Sequence, residues 1–476
     1  MDVRPRLLQS FNQIFPKMGR FVFIALVLAS IVVSTMNVFL QHQAVRAQAG
    51  DWPTFLGNEG HTSFNAAETV INPTTAPNLK LLWTHKASGN ISTQPIVANS
   101  MLYWGSYDGL EHASSLSDGN DIWTTNLGQS VDCRRATHGV LSTAAVASAL
   151  IGGVTTTVVF VGGGDANLYA LDANSGAIIW QTTLGTPPNT FLYSSPTVFN
   201  GSVYIGVSAQ ADCSKIQGHI VQVDASTGAI QHTFYVVPTG CVGGSVWSSP
   251  TIDVNTSIVY VSSAERGLCN KKEKIVESLI ALHASDLSLI GSWQVPATEM
   301  ILDGDFGSSP TLFTATISGT PHMMVGLTNK NGIYYAFDRT NISAGPLWEV
   351  RLATPPGPSI ASSAWDGTTL YVAAGAATVN GASCAGSLSA LNPATGASLW
   401  QDCLNYDALS SVTVVPGLAE VAVGTSMIVV DTTTGNQLFS FQDTSRRNSN
   451  FLGPGCISNG VLYQSNMDGK MYAFAP

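Results

Sequence analysis

The chain of 476 residues contains 45 glycines, has only 11% charged residues and carries a formal net charge of −10. This acidic balance, without any basic stripe along the sequence, excludes a nucleic-acid-binding surface. The sequence also lacks the nucleophile-elbow, phosphate-loop and zinc-protease motifs, which excludes the common hydrolase and nucleotide-binding classes. The nine histidines show no metal-ligand spacing. We expect His112 and His138 to be isolated turn histidines rather than residues that face the axis of the fold.

The N-terminal segment has the features of a secretory leader. Phe21–Leu40 is an uncharged apolar run, and it is preceded by four basic residues, Arg4, Arg6, Lys17 and Arg20. Ala47-Gln48-Ala49 resembles a signal-peptidase site, but the apolar run is also long enough to span a bilayer. We therefore expect residues 1–49 to be either a cleaved signal peptide or a retained N-terminal anchor, with residues 50–476 outside the cytoplasm in both cases.

A ten-residue phrase dominates the rest of the chain. Its clearest copy is LDANSGAIIW at Leu171–Trp180, in which an Asp begins a tight turn, a Gly follows and an aromatic residue lies on the next strand. Related phrases recur at Ser115–Trp123, Val223–Phe234, Leu282–Trp293, Phe337–Trp348, Leu391–Trp400 and Val430–Phe439. A strand-turn-strand unit that returns about every 40 to 60 residues predicts a propeller or a repeat array.

A second hairpin lies upstream of each of these turns. Clear copies are YSSPTVFNGSVYIG at Tyr193–Gly206 and WSSPTIDVNTSIVYVS at Trp247–Ser262. Each repeat unit therefore carries four short antiparallel strands, which is the composition of a propeller blade.

Counting the aromatic residues that follow the turns predicts eight blades. These residues are Trp83, Trp123, Trp180, Phe234, Trp293, Trp348, Trp400 and Phe439. The chain ends within a repeat, at Gly460–Pro476, and Asn78–Ser88 near the start has the sequence of the missing outer strand. We therefore predict an all-β fold, an eight-bladed β-propeller of four-stranded antiparallel blades that an N-terminal outer strand closes.

Seven cysteines agree with an exported protein, because disulfides persist outside the cytoplasm. Cys384 and Cys403 flank one blade's hairpin and are a candidate pair. A further pair is expected among three cysteines of neighbouring blades, Cys213, Cys241 and Cys269. Cys133 and Cys456 remain unassigned, and the odd number leaves at least one cysteine unpaired in a monomer.

The repeated phrase resembles the tryptophan-docking motif of pyrroloquinoline quinone (PQQ) propellers, the eight-bladed quinoprotein alcohol dehydrogenases and their relatives. The resemblance runs from Asp51 to Pro476 and is nearest to the polyvinyl-alcohol-dehydrogenase-like branch. The stretches that carry it are Gln217–Gly228, Val236–Asp253, Asp303–Phe313 and Val325–Arg339.

The resemblance implies a quinone near the propeller axis, stacked on an indole and held by basic groups. Trp247 matches the stacking tryptophan of the family, and Lys330 matches the basic contact to the quinone oxygens. His138 stands where the alcohol oxidisers carry an arginine that grips the quinone carboxylates, and their adjacent-cysteine disulfide is missing here. Trp247, Lys330 and His138 are therefore the cofactor-binding candidates.

The resemblance also implies a calcium ion beside the quinone and a carboxylate base for the alcohol proton. Glu265 falls at a calcium-ligating asparagine of the family, and Asp212, or Gln210 beside it, falls near a calcium-ligating glutamate. Asp305 lies in a short acidic turn with Asp303 and is a third candidate ligand. Glu273 lies nearest to the catalytic aspartate of the family.

Two functions remain open from the sequence. One is a PQQ- and calcium-dependent alcohol dehydrogenase, acting on a small or polymeric alcohol and passing electrons to a separate acceptor. The alternative is a propeller that kept the fold without the cofactor and serves as a protein-interaction or envelope-assembly scaffold, because the fold alone does not fix the function.

Overall fold

The computed structural model describes residues 50–210, 213, 215–267, 269, 275–355, 359–445 and 449–476. Within these residues the chain forms eight four-stranded antiparallel sheets, which we number as blades 1 to 8. The first strands of neighbouring blades contact one another, so the first strand of each blade is the inner strand and the last is the outer strand.

The strands of the first four blades follow in chain order. Blade 1 contains Ile96–Ala98, Met101–Gly105, Leu110–Ser115 and Asp121–Asn126; blade 2 contains Ala145–Ile151, Val154–Gly162, Asn167–Asp172 and Ile178–Thr183; blade 3 contains Thr197–Phe199, Ser202–Val207, His219–Asp224 and Ile230–Tyr235; blade 4 contains Thr251–Asp253, Ile258–Ser262, Ser278–His283 and Leu289–Gln294.

The other four blades complete the ring. Blade 5 contains Thr311–Ile317, Thr320–Thr328, Ile333–Asp338 and Trp348–Arg351; blade 6 contains Ala364–Trp365, Leu370–Ala374, Gly386–Leu391 and Ser398–Leu404; blade 7 contains Thr413–Val415, Leu418–Val423, Ser426–Asp431 and Gln437–Gln442; blade 8 contains Cys456–Ser458, Val461–Ser465, Lys470–Ala475 and Lys80–Lys86. Small elements outside the blades are the strand pairs Ser130–Val131 with Thr137–His138 and Ala377–Val379 with Ala382–Cys384, and the 3-10 turns Ala76–Asn78 and Ile342–Ala344.

The predicted closure of the ring is confirmed. Lys80–Lys86 pairs antiparallel with Lys470–Ala475 and forms the outer strand of blade 8. The first and last parts of the propeller thus share one sheet, and no blade edge is left open at the junction.

The predicted docking aromatics all lie on outer strands, and several indoles are fixed by the turn of the next blade. The indole N–H of Trp123 donates to the carbonyl of Ala173 at 3.0 Å, and that of Trp180 donates to Ala225 at 3.1 Å. Between blades, the facing side chains form apolar clusters, as where Phe160 of blade 2 joins Ile205 of blade 3. The repeat therefore builds its core between adjacent blades.

A row of hydroxyl hydrogen bonds links the inner ends of successive blades. The backbone N–H of Thr143 donates to Ser195 Oγ at 3.0 Å, that of Ser195 to Ser249 Oγ at 2.9 Å, and that of Ser249 to Ser309 Oγ at 2.8 Å. The same contact continues from Ser309 to Ser362 at 2.9 Å. These side chains are buried, so each hydroxyl satisfies a backbone donor that water cannot reach.

Three disulfides bind loops of the propeller. Cys384–Cys403 is confirmed, and Cys241–Cys269 is the pair expected among the three cysteines of neighbouring blades. Cys213 pairs with Cys133, and Cys456 is a buried free thiol. In the part of the chain that the structure describes, no helix is long and apolar enough to cross a bilayer; residues 1–49, with the predicted leader, lie outside it.

Candidate functional site

All the described candidate residues come from loops at one end of the propeller. In an antiparallel blade, successive connections alternate between the two ends, so the loop between the second and third strands shares an end with the connection to the next blade. His138, Trp247 and Asp305 lie on connections between blades, whereas Glu265 and Lys330 lie between second and third strands. We call this end of the ring the site face.

Trp247 and Lys330 come together although they belong to different blades. Lys330 Nζ lies 5.4 Å from the centroid of the Trp247 ring, a cation–π distance. The half-buried indole also packs on the backbone of Gly307, where a Cβ atom would lie 2.3 Å from the indole edge. Only glycine leaves room for the indole there, so the backbone of blade 5 fixes the position of Trp247.

Two aspartates hold the Lys330 ammonium from the connection that enters blade 5. Lys330 Nζ lies 2.8 Å from Asp303 Oδ1 and 3.3 Å from Asp305 Oδ2. Burial acts to lower the pKa of Lys330, but Asp305 and Asp303 outweigh it and raise that pKa. Burial raises the pKa of Asp305, and Lys330 opposes this rise. Asp303 has a φ of +58°, a strained conformation of the kind that clusters at functional sites.

Glu265 joins the same group through its backbone and its side chain. Its N–H donates to Asp305 Oδ1 at 2.7 Å, and its carboxylate pairs with Lys215. Lys215 also donates to the carbonyl of Arg266 at 3.0 Å. Two predicted metal ligands, Glu265 and Asp305, are thus neighbours through the backbone of Glu265.

Glu277 is a functional candidate that the sequence reasoning missed. Its side chain is buried, and Oε2 has no hydrogen-bond partner. Burial, and then the negative charges of Asp305 and Glu265, raise the pKa of Glu277 to about 7. A Cβ atom at Gly304, between the two aspartates, would lie 3.2 Å from Glu277 Oε2, so this carboxyl faces the acidic turn. The sequence offered one indication of this role: Glu277 directly precedes the apolar strand Ser278–His283, where a carboxyl is expected to be buried.

His138 lies in a second group on the site face. Its Nε2 is 3.0 Å from Asp132 Oδ2, and its buried Nδ1 has no partner. The hydrogen bond with His138 is the main cause that lowers the pKa of Asp132.

Gln210 connects this group to other residues of the site face. Its Nε2 donates to the same Asp132 oxygen at 3.3 Å, and Tyr193 donates to Gln210 Oε1. Ala209, beside Gln210, donates its N–H to Ser245 Oγ at 3.1 Å, which connects this group to the segment that carries Trp247.

Two of the predicted residues cannot be placed. Asp212 and Glu273 lie outside the described residues, so the structure tests neither role. Gln210, the alternative to Asp212, is on the site face as expected. Its side-chain amide donates a hydrogen bond to Asp132, whereas Asp305 and Glu265 belong to the group around Lys330.

The residues present fit a flat anionic cofactor with a divalent cation. The indole of Trp247 offers a half-buried aromatic face with an ammonium above it, which suits a planar ring with carbonyl and carboxylate oxygens. The unpartnered Oε2 of Glu277, whose pKa is raised beside Asp305 and Glu265, marks an excess of carboxylate that a hard cation would relieve. Trp247, Lys330 and His138 would hold the organic group, and Glu265, Asp305 and Glu277 the cation.

Comparison with known families gives two matches. Residues 52–361 match the family described as the glucose/ethanol/alcohol dehydrogenase β-propeller domain, named PQQ. Residues 330–476 match a second repeat family, described as the outer membrane protein assembly factor BamB.

Several known proteins are similar to this chain in sequence or structure. The chain is 25% identical over 321 residues to polyvinylalcohol dehydrogenase of Sphingopyxis sp. (strain 113P3), covering 58% of this chain and 47% of that protein. The structure of quinohemoprotein alcohol dehydrogenase from Comamonas testosteroni superposes with a TM-score of 0.73 at 18% identity, over 90% of this chain and 81% of that one. BamB from Moraxella catarrhalis gives a TM-score of 0.54 at 15% identity, over 84% of this chain and 98% of that one. At these identities the two structures show the fold alone, and the chain spans about half the length of the curated relatives it matches.

Proposed function

The chain belongs to the β-propeller family of glucose, ethanol and alcohol dehydrogenases, and from this membership we propose that it is a PQQ- and calcium-dependent alcohol dehydrogenase. The observation that carries the proposal is the Lys330 ammonium above the Trp247 indole, beside the acids Asp303 and Asp305. An aromatic floor, a basic contact and a carboxylate group are the parts that the chemistry requires from the protein.

When bound, the quinone with its calcium ion would accept the two electrons of the alcohol. Trp247 would support the flat face of the cofactor, and Gly307 keeps the indole in place. Lys330 would contact the quinone oxygens, with the paired aspartates holding the ammonium. His138 would contact a carboxylate of the cofactor.

The base that takes the alcohol proton has two candidates on one loop, Glu273 from the sequence and Glu277 from the structure. The buried, unpartnered Oε2 of Glu277 supports the second, because a base works best when its pKa is near the operating pH. We propose Glu277 as the base or as a calcium ligand that sets the charge of the site, with Glu273 as the alternative base.

The substrate is proposed to be a secondary or polymeric alcohol, because relatives in two organisms are polyvinylalcohol dehydrogenases. We propose that the electrons pass to a separate acceptor. Three disulfides support a location outside the cytoplasm. We propose that residues 1–49 direct the export and that residues 50–476 are the propeller.

A dye-reduction assay tests this proposal. The purified protein is incubated with PQQ and calcium, and oxidation of secondary and primary alcohols is followed with an artificial electron acceptor. We expect alcohol-dependent dye reduction that disappears when PQQ or calcium is left out. Absence of turnover with every alcohol, in a protein that has bound PQQ, would contradict the proposal.

The second candidate function is a scaffold for protein interaction. It is supported by two ion pairs of the site carboxylates, Lys215 with Glu265 and Lys330 with Asp305. These ammonium groups already neutralise carboxylates that would otherwise bind a metal cation. The match of residues 330–476 to the BamB family supports it as well. A protein that binds neither PQQ nor calcium would favour this function.

A further inference from the structure

Three metal-binding side chains meet at the junction where the ring closes. His85 lies on the N-terminal strand Lys80–Lys86 of blade 8, while His112 and Asp121 lie on the third and outer strands of blade 1. In the part of the chain that the structure describes, this is the one group of three such residues whose ligand atoms all lie within 4.8 Å of one another. It belongs to neither of the groups described at the site face.

The sequence departs from other blades beside these ligands, at Ser114 of blade 1 and at His85 of blade 8. The residue after the central alanine of the third strand is leucine in three other blades, Leu171, Leu282 and Leu391, but is Ser114 in blade 1. Two residues after the docking aromatic, the outer strands of blades 1 and 2 carry Thr125 and Thr182, whereas blade 8 carries His85.

These departures place polar groups at the junction of blades 8 and 1, where His112 is buried, His85 is half-buried and Asp121 is exposed. At the junctions that follow blades 1 and 2 this threonine donates to the next turn, as Thr125 does to the Gly176 carbonyl at 2.7 Å. Blade 8 meets blade 1 instead with imidazole and carboxylate groups, and His112 is 3% exposed. Burying such groups is costly unless they are paired or bind an ion. His112 already pairs with Asp121 at 3.1 Å, whereas His85 Nε2 stays 3.7 Å from the same carboxylate oxygen.

The distances suit a small tetrahedral cation. His112 Nδ1 lies 3.1 Å and His85 Nε2 lies 3.7 Å from Asp121 Oδ2. Ligand atoms bound to zinc at about 2.0 Å in tetrahedral geometry lie about 3.3 Å apart. Small rotations of half-exposed His85 and Asp121 therefore bring the three atoms onto one ion, and their partial exposure leaves the fourth position to water.

The surrounding side chains prepare His112 for this role. Ser106 Oγ donates to Asp108 and lies 3.1 Å from His112 Nε2, so its oxygen is placed to accept the Nε2 proton in the tautomer that a metal at Nδ1 requires. Without an ion, Nδ1 is at hydrogen-bond distance from Asp121 Oδ2, and metal binding would replace that contact. The indole of Trp104 stacks on the imidazole with ring centroids 3.7 Å apart and an interplanar angle of 3°.

Asp121 is oriented in a similar way. Its Oδ1 accepts a hydrogen bond from Ser114 Oγ at 2.8 Å, and Ser114 in turn accepts one from the Trp104 indole at 3.0 Å. Oδ2 is thereby directed to the two imidazoles. Such outer partners, which fix the tautomer and the direction of each ligand, are typical of metal sites in proteins.

We propose that His85, His112 and Asp121 bind one divalent transition-metal ion of the zinc class, which fastens the N-terminal strand to blade 1 and locks the closed ring. Two imidazole nitrogens and one carboxylate oxygen suit zinc, whereas calcium prefers an all-oxygen set. The site is distinct from the proposed calcium group in its residues and in its role, which is to stabilise the fold.

The test is calorimetric titration and thermal unfolding of the untagged full chain with zinc chloride, without reductant. We expect one ion per chain with micromolar affinity or better and a rise in Tm of about 2 °C or more at saturation. Cobalt(II) should bind with the visible absorption of a tetrahedral N/O site. Saturating calcium should leave the zinc affinity unchanged.

Two variants locate the ion. His85→Asn removes a half-exposed ligand and should weaken zinc binding ~100-fold or more, beyond the ~10–100-fold expected for an outer partner such as Ser106→Ala. His322→Asn is the control, because His322 also pairs with an aspartate, Asp338, at 2.6 Å but has no second histidine there. It should keep the zinc affinity of the wild type.

Other results would overturn the proposal. One is a wild type that binds neither zinc nor cobalt(II) up to about millimolar concentration. The other is a His85→Asn variant that binds zinc as tightly as the wild type. If His85→Asn does not fold, the cobalt(II) spectrum of the wild type decides, since a spectrum of six-coordinate cobalt or none at all contradicts a tetrahedral site.

Discussion

Lys330 Nζ lies 5.4 Å from the ring centroid of Trp247, across the boundary between two blades. The tryptophan comes from the connection into blade 4, and the lysine comes from a loop of blade 5. Asp303 and Asp305 hold the ammonium from the other side, so the lysine is fixed between a ring and two acids. This relationship brings the aromatic floor, the basic group and the acidic group of the site into one place.

Glu277→Gln tests the proposed base. The amide keeps the shape of the side chain but cannot take a proton, so we expect kcat to fall ~100-fold to 10,000-fold with a small change in KM. The measurement is dye-linked alcohol oxidation by protein loaded with PQQ and calcium. Glu299→Gln, a change outside the acidic group, should leave kcat within about twofold; an unchanged kcat in Glu277→Gln would show that another group is the base.

The pH dependence of calcium binding follows from the same carboxyl. Burial and the charges of Asp305 and Glu265 raise the pKa of Glu277 to about 7, so below that pH the protein must release a proton to bind the cation. The apparent calcium affinity should therefore rise by up to about tenfold per pH unit from pH 5 to pH 7 and level off above it. Calorimetry at several pH values measures this, and Glu277→Gln should remove most of the slope.

The fold was predictable because each blade repeats its own local chemistry. The Asp-Gly turn and the aromatic that follows it, as in Leu171–Trp180, are local signals, and they gave the blade count and the closing strand. Trp247 and Lys330 were found through the resemblance to a family, since no local pattern distinguishes either from a core aromatic or a solvated lysine.

The missed groups depend on distant contacts. Glu277 is a candidate only because burial and Asp305, from the next connection, raise its pKa. Histidine spacing could not reveal the group of His85 and His112, because these residues meet across the ring closure rather than at a fixed spacing. His112, which the sequence suggested as an isolated turn residue, lies on a strand. His85 comes close to His112 only because the strand Lys80–Lys86 pairs with Lys470–Ala475 and completes blade 8.

Glu420 should make stability depend on pH. The carboxyl is fully buried and makes no hydrogen bond of good geometry, and burial raises its pKa to about 8 against the opposing effect of the Gly455 N–H. The folded state therefore holds the proton more tightly than the unfolded state. The stabilisation is complete below the unfolded pKa of 4.5 and is lost as the pH rises towards 8.

Glu420→Gln should remove this loss of stability at high pH, because the amide does not ionise. At pH 5 the variant and the wild type should have similar free energies of unfolding, and at pH 8 the variant should be more stable by on the order of a few kcal/mol. Urea unfolding at both pH values measures the difference. Glu349→Gln, at an exposed carboxylate, should change the pH slope much less, and equal slopes for wild type and Glu420→Gln would refute the raised pKa.

The row of inner hydroxyls should contribute to stability at each blade junction. Ser309→Ala removes the acceptor of the buried Ser249 N–H, so we expect a loss of about 1–3 kcal/mol in the free energy of unfolding. Ser117→Ala, at an exposed turn of blade 1, is the control and should stay within about 0.5 kcal/mol of the wild type. Urea unfolding of the three proteins measures this; equal stability of Ser309→Ala and Ser117→Ala would show that the row carries no net stabilisation.

The most direct test of the central claim is calorimetric titration of the purified protein with PQQ in the presence of calcium, for the wild type and Trp247→Ala. We predict near-stoichiometric, calcium-dependent binding to the wild type and loss of binding in Trp247→Ala. The control Trp400→Phe, which changes a docking aromatic, should still bind. Absence of binding to the wild type at tens of micromolar, or full binding by Trp247→Ala, would contradict a quinone site on the Trp247 indole.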